Sequence, residues 1–338
     1  MQRILVTGGT GYIGSHTVVD LLENGFEVVS ADNYYNSKEQ VLDGIEAITG
    51  KRVKNYAVDL ADATAVRELF AAERFDGAIH FAALKSVGDS VHQPLAYYRN
   101  NLNSLMNVVE GLAGQGRGGN LVFSSSCSVY GNATDLPVTE ATPFGHAESP
   151  YARTKQMGED ILRDYVRARP DFRTILLRYF NPAGAHPSGK IGEDAANKAT
   201  NLVPVVTETA AGKRDKMTVF GDDYATRDGS AVRDYVHVSD LAHAHTLALQ
   251  YLIAGKAKDN PATFNLGIGE GLTVLEVIEA FERVAATKLN YEIGPRRAGD
   301  IAAVYADRTR ATRELGWEPQ YGVEEIMRTA WTWEQARS

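Results

Sequence analysis

Residues 3–16 read RILVTGGTGYIGSH, where an apolar run, a glycine-rich turn and a helix start follow one another directly. Arg3 to Thr7 has the apolar and β-branched composition of a buried strand. Gly8, Gly11 and Gly14 recur at every third position. In a dinucleotide-binding fold, the first such glycine permits a tight turn, the second lets a pyrophosphate approach the backbone, and the third lets the helix pack on the strand. The stretch therefore predicts a dinucleotide site at a helix N-terminus, with an ordinary tight turn as the alternative.

Composition and charge narrow the class of protein. The 338 residues are 44% hydrophobic and 23% charged, which is typical of one large or two moderate globular domains. A formal net charge of −8 argues against a general nucleic-acid binder. The single cysteine, Cys127, excludes an internal disulfide and fits the reducing cytoplasm. We expect no signal peptide, because a strand pattern begins at once, and no membrane span, because no apolar run reaches about 18 residues.

Strand and helix patterns alternate six times through the first half of the chain, which predicts an α/β fold with a Rossmann-like, doubly wound parallel sheet. The helix patterns include Asp62 to Phe70, Pro94 to about Leu112, and one that begins after Ser149. The strands predicted after the first are Glu27 to Ala31, Val53 to Val58, Gly77 to Phe81, Leu121 to Ser125 and Arg173 to Phe180.

The alternation breaks from Asn181 onward. Asn181 to Gly184 is predicted to be a turn, Met217 to Phe220 a strand, and Ser239 the cap of a helix from Asp240 to about Leu252. We expect a smaller α/β substrate domain that is interleaved with the first domain. The predicted bounds are 1–180, with a return segment at about 235–267, for the dinucleotide-binding domain, and 181–234 with 268–338 for the substrate domain.

Asp32 closes the second predicted strand, 18 residues after Gly14. A carboxylate near this spacing accepts hydrogen bonds from an adenosine ribose and repels a 2′-phosphate, so NAD is favoured over NADP. The alternative is an aspartate that only opens a loop.

Tyr151 and Lys155 are four residues apart on a helix predicted to begin after Ser149, and therefore share one face. Such a pair is common by chance. It gains weight because residues 124–126 (SSS) end the preceding strand. The alternatives are an exposed tyrosine, an exposed lysine and a capping serine.

Together these motifs resemble the extended short-chain dehydrogenase/reductase family, and within it most closely the UDP-glucose 4-epimerases, also called UDP-galactose 4-epimerases. The similarity runs along the whole chain. Its most particular parts are residues 181–189 (NPAGAHPSG) and residues 228–235 (DGSAVRDY). The other matching motifs are residues 8–14 (GGTGYIG), residues 32–37 (DNYYNS), Asp59-Leu60, residues 81–85 (FAALK), residues 123–126 (FSSS), residues 151–155 (YARTK), residues 177–182 (LRYFNP) and residues 296–300 (RRAGD).

The resemblance implies an epimerase that interconverts UDP-glucose and UDP-galactose with tightly bound NAD. Inverting C4 without net oxidation requires hydride removal, a flat 4-ketone that turns over, and hydride return to the other face. Tyr151 is the predicted base for the 4-hydroxyl proton. A phenol pKa is ordinarily about 10, and we expect a lysine ammonium and an oxidised nicotinamide to lower it. Ser126 is expected to shuttle the proton, and Lys155 to bind the nicotinamide ribose.

The predicted binding residues form two sets, in which Arg233 and Arg297 clamp the diphosphate. The cofactor set is Gly8, Gly11, Tyr12, Ile13, Gly14, Asp32, Asn33, Asn36, Ser37, Asp59, Leu60, Phe81, Ala82, Ala83, Lys85, Asn100, Ser126, Tyr151, Lys155 and Phe180. The substrate set is Lys85, Ser126, Tyr151, Tyr179, Asn181, Asn201, Leu202, Met217, Val219, Phe220, Arg233, Arg297, Asp300 and Val304. No metal site is predicted, since His243 and His245 point to different faces of a helix.

One position departs from the resemblance. Many bacterial members carry a tyrosine where this chain has Val304, and here the tyrosine is the next residue, Tyr305. A smaller side chain widens the sugar pocket, so we expect N-acetylated UDP-hexoses to be accepted as well. A Tyr305 ring inside the pocket would contradict this expectation.

Two other functions use the same fold. A nucleotide-sugar 4,6-dehydratase needs an acid and a base just after the serine run, where residues 126–129 (SCSV) supply none. A non-catalytic NAD-binding protein has no need of Ser126, Tyr151 and Lys155 together. The resemblance also implies a homodimer, in which the helices Pro94 to Leu112 and Ser149 to Arg167 pair with their copies.

Overall fold

A computed structural model of the protein describes residues 1–116, 118–194, 199–297 and 301–337. The strands are β1 (Arg3–Thr7), β2 (Glu27–Ala31), β3 (Lys54–Tyr56), β4 (Gly77–His80), β5 (Gly119–Ser124), β6 (Phe172–Tyr179), β7 (Asn181–Ala183), β8 (Met217–Phe220), β9 (Val232–Arg233), β10 (Tyr235–His237), β11 (Ala262–Leu266), β12 (Leu272–Thr273), β13 (Tyr291–Gly294) and β14 (Ala303–Val304). The helices are α1 (Tyr12–Glu23), α2 (Val41–Thr49), α3 (Ala63–Ala72), α4 (Val87–His92), α5 (Pro94–Ala113), α6 (Pro150–Ala168), α7 (Leu202–Ala210), α8 (Val238–Ile253), α9 (Val274–Ala285), α10 (Thr309–Leu315) and α11 (Val323–Ala336), and a short 3-10 helix spans Cys127–Tyr130.

The central element is a parallel sheet, which in the described residues has seven strands in the order β3-β2-β1-β4-β5-β6-β11. The chain moves from β1 outward to β3, then crosses back to β4 on the other side of β1, as a doubly wound sheet requires. Leu5 in β1 pairs with Val29 on one side and Ala78 on the other. The predicted α/β class and doubly wound parallel sheet are confirmed.

Side chains that alternate along β1 divide the core between the two faces of the sheet. Ile4 and Val6 pack with residues of α1 and α8 on one face. Leu5 packs with residues of α3, α5 and α6 on the other face. All three side chains are fully buried, and each contributes about 1.5–3 kcal/mol to folding.

The part of the chain after β6 builds a smaller α/β unit around α7, α9 and α11. Its strands form short pairs, β7 with β10 and β8 with β13, and β9 lies between β12 and β14. Between these pieces the chain returns to the main sheet, where β11 pairs in parallel with β6. Strand β11, which lies within the predicted return segment at about 235–267, therefore rejoins the sheet, whereas the proposed domain bounds stay a prediction.

The largest differences from the predicted elements come from long-range pairing. The turn predicted at Asn181–Gly184 is wrong, because Asn181–Ala183 forms β7 and pairs with Tyr235–His237. Only Gly184, with φ of 89°, has a turn conformation. Helices α2 and α4 are not predicted at all. Helix α2 buries only Leu42 and Ile45, which is too few for a clear helical period.

The predicted cap of α8 is also wrong. The helix begins at Val238, and His237 caps it by accepting a hydrogen bond on its side chain from the N–H of Ser239, at 3.1 Å. Burial lowers the pKa of His237 to about 4, so the imidazole is neutral at neutral pH and has a ring nitrogen free to accept. Most other predicted bounds differ from the structure by a residue or two.

A helix that crosses a bilayer must be both long and apolar. Of the helices in the described part of the chain, none combines the length and the apolar character that crossing a bilayer requires.

Gly14 is a position in the glycine turn that leaves no room for a side chain. A Cβ at Gly14 would lie 2.0 Å from the carbonyl oxygen of Gly8, and this backbone atom cannot move without distorting the turn. We predict that Gly14→Ala lowers the free energy of unfolding by about 2 kcal/mol, measured by urea denaturation. The matched control is Gly88→Ala in α4, where a Cβ would meet no atom within 4 Å. Equal stabilities of the two variants would contradict the prediction.

Candidate active site

The predicted catalytic and binding residues follow the carboxyl ends of neighbouring parallel strands. The glycine turn follows β1, residues 81–85 follow β4, and residues 124–126 close β5. Because parallel strands end at one edge of a sheet, these segments come together there.

The glycine turn forms a cradle at the start of α1. Gly8 has φ of 71°, and its N–H donates to the carbonyl of Ala31 at 2.9 Å, which fixes the turn to the end of β2. No side chain of the described residues caps α1 at Gly11. The first N–H groups of the helix, at Tyr12 and Ile13, are therefore available to an anion. The cradle fits the pyrophosphate of a dinucleotide.

Asp32 orders the two loops beside this cradle. Its carboxylate accepts hydrogen bonds from the N–H of Thr10 at 3.2 Å, the N–H of Tyr34 at 2.9 Å and the Ser37 hydroxyl at 3.3 Å. The loop-opening role kept as the alternative is thus part of what Asp32 does. Its contact with a ribose stays a prediction.

Tyr12 connects α1 to the second part of the chain. Its hydroxyl donates to the carbonyl of Gly184 at 2.6 Å. Burial of the phenol, assisted by the Glu193 carboxylate, raises the pKa of Tyr12 well above its usual value. The side chain is therefore a neutral donor that holds the turn after β7 against the glycine cradle.

The three predicted catalytic residues lie together. Ser149 caps α6 by accepting from the N–H of Ala152, and Pro150 occupies the first turn, so Tyr151 and Lys155 stand on adjacent turns as predicted. Ser126 lies close enough to the Tyr151 phenol for its hydroxyl to lower the pKa of that phenol. The Lys155 ammonium lies 5.9 Å from the centroid of the Tyr151 ring.

Lys155 is bonded to the strand rather than to the phenol. Its Nζ donates to the carbonyl of Ser124 at 2.7 Å and lies 5.0 Å from the ring centroid of Phe123. Burial lowers the pKa of Lys155 to about 8, while the Glu159 carboxylate acts in the opposite direction.

The pKa of Tyr151 does not shift in the expected direction in the protein alone. Burial of the phenol raises this pKa and outweighs the hydrogen bond with Ser126, which lowers it. The lowering expected from Lys155 is absent because the ammonium is directed at the Ser124 carbonyl. Charge stabilisation of a phenolate therefore depends on what binds beside it.

The loop after β4 is held by a residue that the sequence analysis did not select. Asn101 on α5 is buried, accepts from the N–H of Leu84 at 2.8 Å and donates to the carbonyl of Leu84 at 3.0 Å and to the Thr154 hydroxyl at 3.1 Å. It thus ties residues 81–85 to α6. The predicted residue, Asn100, donates to Asn101 at 3.0 Å, so it is connected to the loop through Asn101.

The second unit contributes an arginine stacked on an aromatic ring. The Arg297 guanidinium lies 4.3 Å from the ring centroid of Phe220, which is 37% exposed at the end of β8. Met217 and Val219 instead point into the core of this unit. Of the residues of β8 in the predicted substrate set, Phe220 is the one with an aromatic side chain at the surface.

Arg233 is anchored by main-chain groups. Its Nη1 donates to the carbonyls of Val232 and Ile301, both at 2.9 Å. These bonds fix the guanidinium at the end of β9. Asp300, another predicted substrate residue, lies outside the described residues.

Glu193 joins two predicted ligand-binding residues and was missed by the sequence analysis. Its Oε1 accepts from the Lys85 ammonium at 3.2 Å and from the Asn201 amide at 3.0 Å. Asn201 precedes α7, so this carboxylate connects the loop after β4 with the second unit. The signal available in the sequence was its place directly after the run 181–189.

The remaining predicted residues spread along the same edge. Asn33, Asp59 and Leu60 follow β2 and β3 at one end of the sheet, where Asp59 accepts from the N–H of Ala61 at 2.9 Å. Tyr179 ends β6 and Phe180 follows it, and the Tyr179 hydroxyl lies 2.8 Å from that of Ser124. The positions for which no hydrogen bond or ring contact of the side chain decides a role are Asn36, Ala82, Ala83 and Leu202.

Val304 ends β14, and Tyr305 follows it. Val304 is 6% exposed, belongs to a buried apolar cluster with Val129 and Phe180, and pairs in register with Arg233. A Cβ on Gly271 would lie 3.2 Å from Cδ1 of Tyr305, so the tyrosine ring packs over that glycine. The wide sugar pocket stays a prediction.

The surroundings of Cys127, His243 and His245 indicate structural roles. Burial raises the pKa of Cys127 to about 12, so its thiol is not nucleophilic at neutral pH. His245 is buried, and its Nδ1 lies 2.8 Å from the carbonyl oxygen of Leu241, whereas Nδ1 of His243 lies 3.2 Å from a carboxylate oxygen of Asp20. Over the described ranges, no group of three metal-binding side chains is arranged to hold a metal ion.

The chain matches known proteins over nearly its full length. Residues 5–330 match the family model described as GDP-mannose 4,6 dehydratase. The UDP-glucose 4-epimerase of Bacillus subtilis (strain 168) is 47% identical over 335 residues, which cover 99% of this chain and 97% of that protein. The chain belongs to the UDP-glucose 4-epimerase family.

Solved structures of this epimerase family have the same fold. The UDP-glucose 4-epimerase of Bifidobacterium longum, in complex with NAD+ and UDP, superposes with a TM-score of 0.94 at 44% identity, covering 99% of this chain and 98% of that one. The UDP-Glc/GlcNAc 4-epimerase of Campylobacter jejuni superposes with a TM-score of 0.85 at 38% identity, covering 99% and 100%.

The dehydratase named by the family model and the epimerase differ at one part of the site. A dehydratase needs carboxylates after the serine run to eliminate water, and residues 126–129 hold none. The relative that matches at 47% identity is an epimerase. The dehydratase alternative is therefore not supported.

Proposed function

We propose that this chain is an enzyme that interconverts UDP-glucose and UDP-galactose, with tightly bound NAD. The observation that carries the proposal is the group formed by Ser126, Tyr151 and Lys155 beside the glycine cradle. NAD, when bound, supplies the acceptor and donor of the C4 hydride. Side chains of the protein carry out all other parts of the reaction.

Proton transfer is assigned to Tyr151 and Ser126, whose side chains lie close together. Tyr151 takes the proton of the 4-hydroxyl as hydride leaves C4, and Ser126 relays it. Lys155 has a pKa of about 8, so at neutral pH most of it is the ammonium, whose charge favours a phenolate close by.

The cofactor-binding residues are assigned by their position along the sheet edge. The cradle at Gly8 and Gly11 would hold the pyrophosphate, Asp32 the adenosine ribose, and Lys155 the nicotinamide ribose. This assignment uses the uncapped N-terminus of α1, where an anion is stabilised by the helix.

The substrate-binding residues are assigned to a fixed nucleotide and a moving sugar. Arg233, held by two main-chain carbonyls, and Arg297, stacked on Phe220, would clamp the diphosphate. With the nucleotide held, the 4-keto sugar turns about its phosphate linkage and presents its other face. The same two residues then serve both directions of the reaction.

Removing the phenol oxygen of Tyr151 tests the proposal. We predict that Tyr151→Phe loses activity by about a thousandfold, since the proton acceptor is gone while the ring stays. The assay converts UDP-galactose to UDP-glucose with purified protein and no added NAD. Tyr165→Phe is the matched control, because Tyr165 lies on the same helix and packs on Phe172. An inactive wild-type protein would refute the proposed function, and an active Tyr151→Phe would refute the role of the phenol.

We further propose that UDP-N-acetylhexosamines are substrates. Val304 is small, and Tyr305 packs away from it over Gly271. The Campylobacter jejuni relative named above is a UDP-Glc/GlcNAc 4-epimerase.

The variant Val304→Tyr tests the wide pocket. A tyrosine beside Arg233 fills the space for an N-acetyl group, so we predict a loss of UDP-N-acetylglucosamine turnover of at least about tenfold, with UDP-glucose turnover retained. Coupled assays on both sugars measure the ratio. Wild-type protein that does not turn over UDP-N-acetylglucosamine would end the proposal.

We propose a homodimer that pairs α5 and α6 with their copies. Leu95, Leu102 and Met106 recur at helical spacing on α5, and Val91 on α4 precedes Leu95 by four residues.

 
Leu95 is 64% exposed and Met106 38%, so these apolar side chains form a strip along α5, and Val91 on the neighbouring α4 is 57% exposed as well. A contiguous apolar strip of this kind is typical of a protein interface.

Charge placed on the strip tests the dimer. We predict that Leu95→Glu combined with Met106→Glu gives a monomer, because paired carboxylates cannot be buried without partners. Light scattering after size exclusion measures the mass. Ile293→Glu on β13, which is 50% exposed, is the control and keeps the mass of the wild type. A monomeric wild type would refute the proposal.

We also propose a cytoplasmic location. Its support is the single cysteine, Cys127, a free thiol that has no second cysteine in the chain with which to form a disulfide.

A further inference from the structure

A buried ion pair lies behind the catalytic serine segment. Glu159 on α6, one turn after Lys155, is 0% exposed, and Arg178 on β6 is 3% exposed. Arg178 Nε lies 2.9 Å from Glu159 Oε1, and Nη2 lies 2.7 Å from Oε2, which is a bidentate geometry. Taking two charges out of water is unfavourable unless their remaining hydrogen bonds are satisfied, so the partners of this pair matter.

Those partners are the residues on either side of Ser126. The Ser125 hydroxyl donates to Glu159 Oε1 at 2.5 Å, and Arg178 Nη1 donates to the Tyr130 hydroxyl at 2.9 Å. Ser125 precedes Ser126, and Tyr130 closes the 3-10 helix that Ser126 caps. One ion pair therefore holds the segment at both ends.

The network extends in two further directions. The Tyr130 hydroxyl donates to Asn265 Oδ1 on β11 at 2.6 Å, which anchors it to the far strand of the sheet. On the near side, Lys155 shares α6 with Glu159 and donates to the carbonyl of Ser124. The strand end, the 3-10 helix and the catalytic face of α6 thus share one frame.

We propose that Glu159 and Arg178 are positioning residues, which hold residues 124–130 so that Ser126 lies beside the Tyr151 phenol and the Ser124 carbonyl holds the Lys155 ammonium. The inference rests on the proposed epimerase function and assigns that site a support behind its reacting groups. Neither member of the pair needs to touch the substrate for this role.

The same pair acts on the charge of the site. The titratable groups that face Lys155 are Tyr151 and Glu159 on its own helix and His80 on β4. Burial lowers the pKa of His80 to about 3, so this side chain is neutral at neutral pH. Glu159 is an anion, since Arg178 and Ser125 lower its pKa against burial, and it favours the ammonium form of Lys155.

Two mild variants cut the ties and leave the ion pair intact. Ser125→Ala removes the bond to Glu159, and Tyr130→Phe removes the bond to Arg178. We predict that each lowers kcat by about fivefold to tenfold with KM for UDP-galactose within about twofold, because the reacting groups shift while the nucleotide contacts remain. Denaturant unfolding of each variant is measured beside the kinetics.

Arg163→Gln is the matched control. Arg163 bonds the same carboxylate at 2.6 Å, from a position on α6 where its side chain is 32% exposed. Its loss should leave kcat unchanged, because the ties to residues 124–130 persist.

The outcomes separate this inference from the proposed function. A wild-type protein without epimerase activity would refute the proposed function itself. With an active wild type, three results would each overturn the positioning role: kcat unchanged in both variants, kcat and KM altered in proportion, or an equal loss of kcat in Arg163→Gln.

Discussion

The hydrogen bond from the Lys155 ammonium to the Ser124 carbonyl joins the helix that carries Tyr151 to the strand that leads to Ser126. Because it lies at the carboxyl edge of a parallel sheet, it places Ser126, Tyr151 and Lys155 at the same edge as the glycine turn that follows β1. It is also short and buried, so the lysine has little freedom to turn towards the phenol. The fold therefore fixes the position of the Lys155 ammonium, and the Tyr151 phenol lies on the same helix at a fixed place relative to that charge.

This arrangement has an electrostatic consequence. Burial lowers the pKa of Lys155 and raises that of Tyr151, so it disfavours the charged form of both groups. Glu159 opposes the first shift, and the hydrogen bond with Ser126 opposes the second. The chain itself therefore keeps the phenol protonated, and a base forms only when further positive charge lies beside it.

The parts predicted from the sequence were those that local pattern determines. The glycine turn, the alternating strands and the helix that begins at Ser149 depend on residues close in the chain, and they carry the cradle and the Tyr151–Lys155 pair. Contacts between distant residues were missed. Glu193 and Lys85 are 108 residues apart, and Asn101 and Thr154 are 53 apart, so no spacing rule connects them. The strand β7 was read as a turn for the same reason, since its partner β10 lies in a later part of the chain.

The positions of Val304 and Tyr305 show how a shift of one residue changes the surroundings of a side chain. Successive side chains of a strand point to opposite faces, so a tyrosine at position 305 instead of position 304 lies off the face that carries Arg233. The fold makes room for the ring, because Gly271 has no side chain and the Tyr305 ring packs there. The carbonyl of Tyr305 accepts from the N–H of Val138 at 3.0 Å, which fixes the register of this segment. The residue in register with Arg233 is therefore the small Val304, while the tyrosine packs against Gly271.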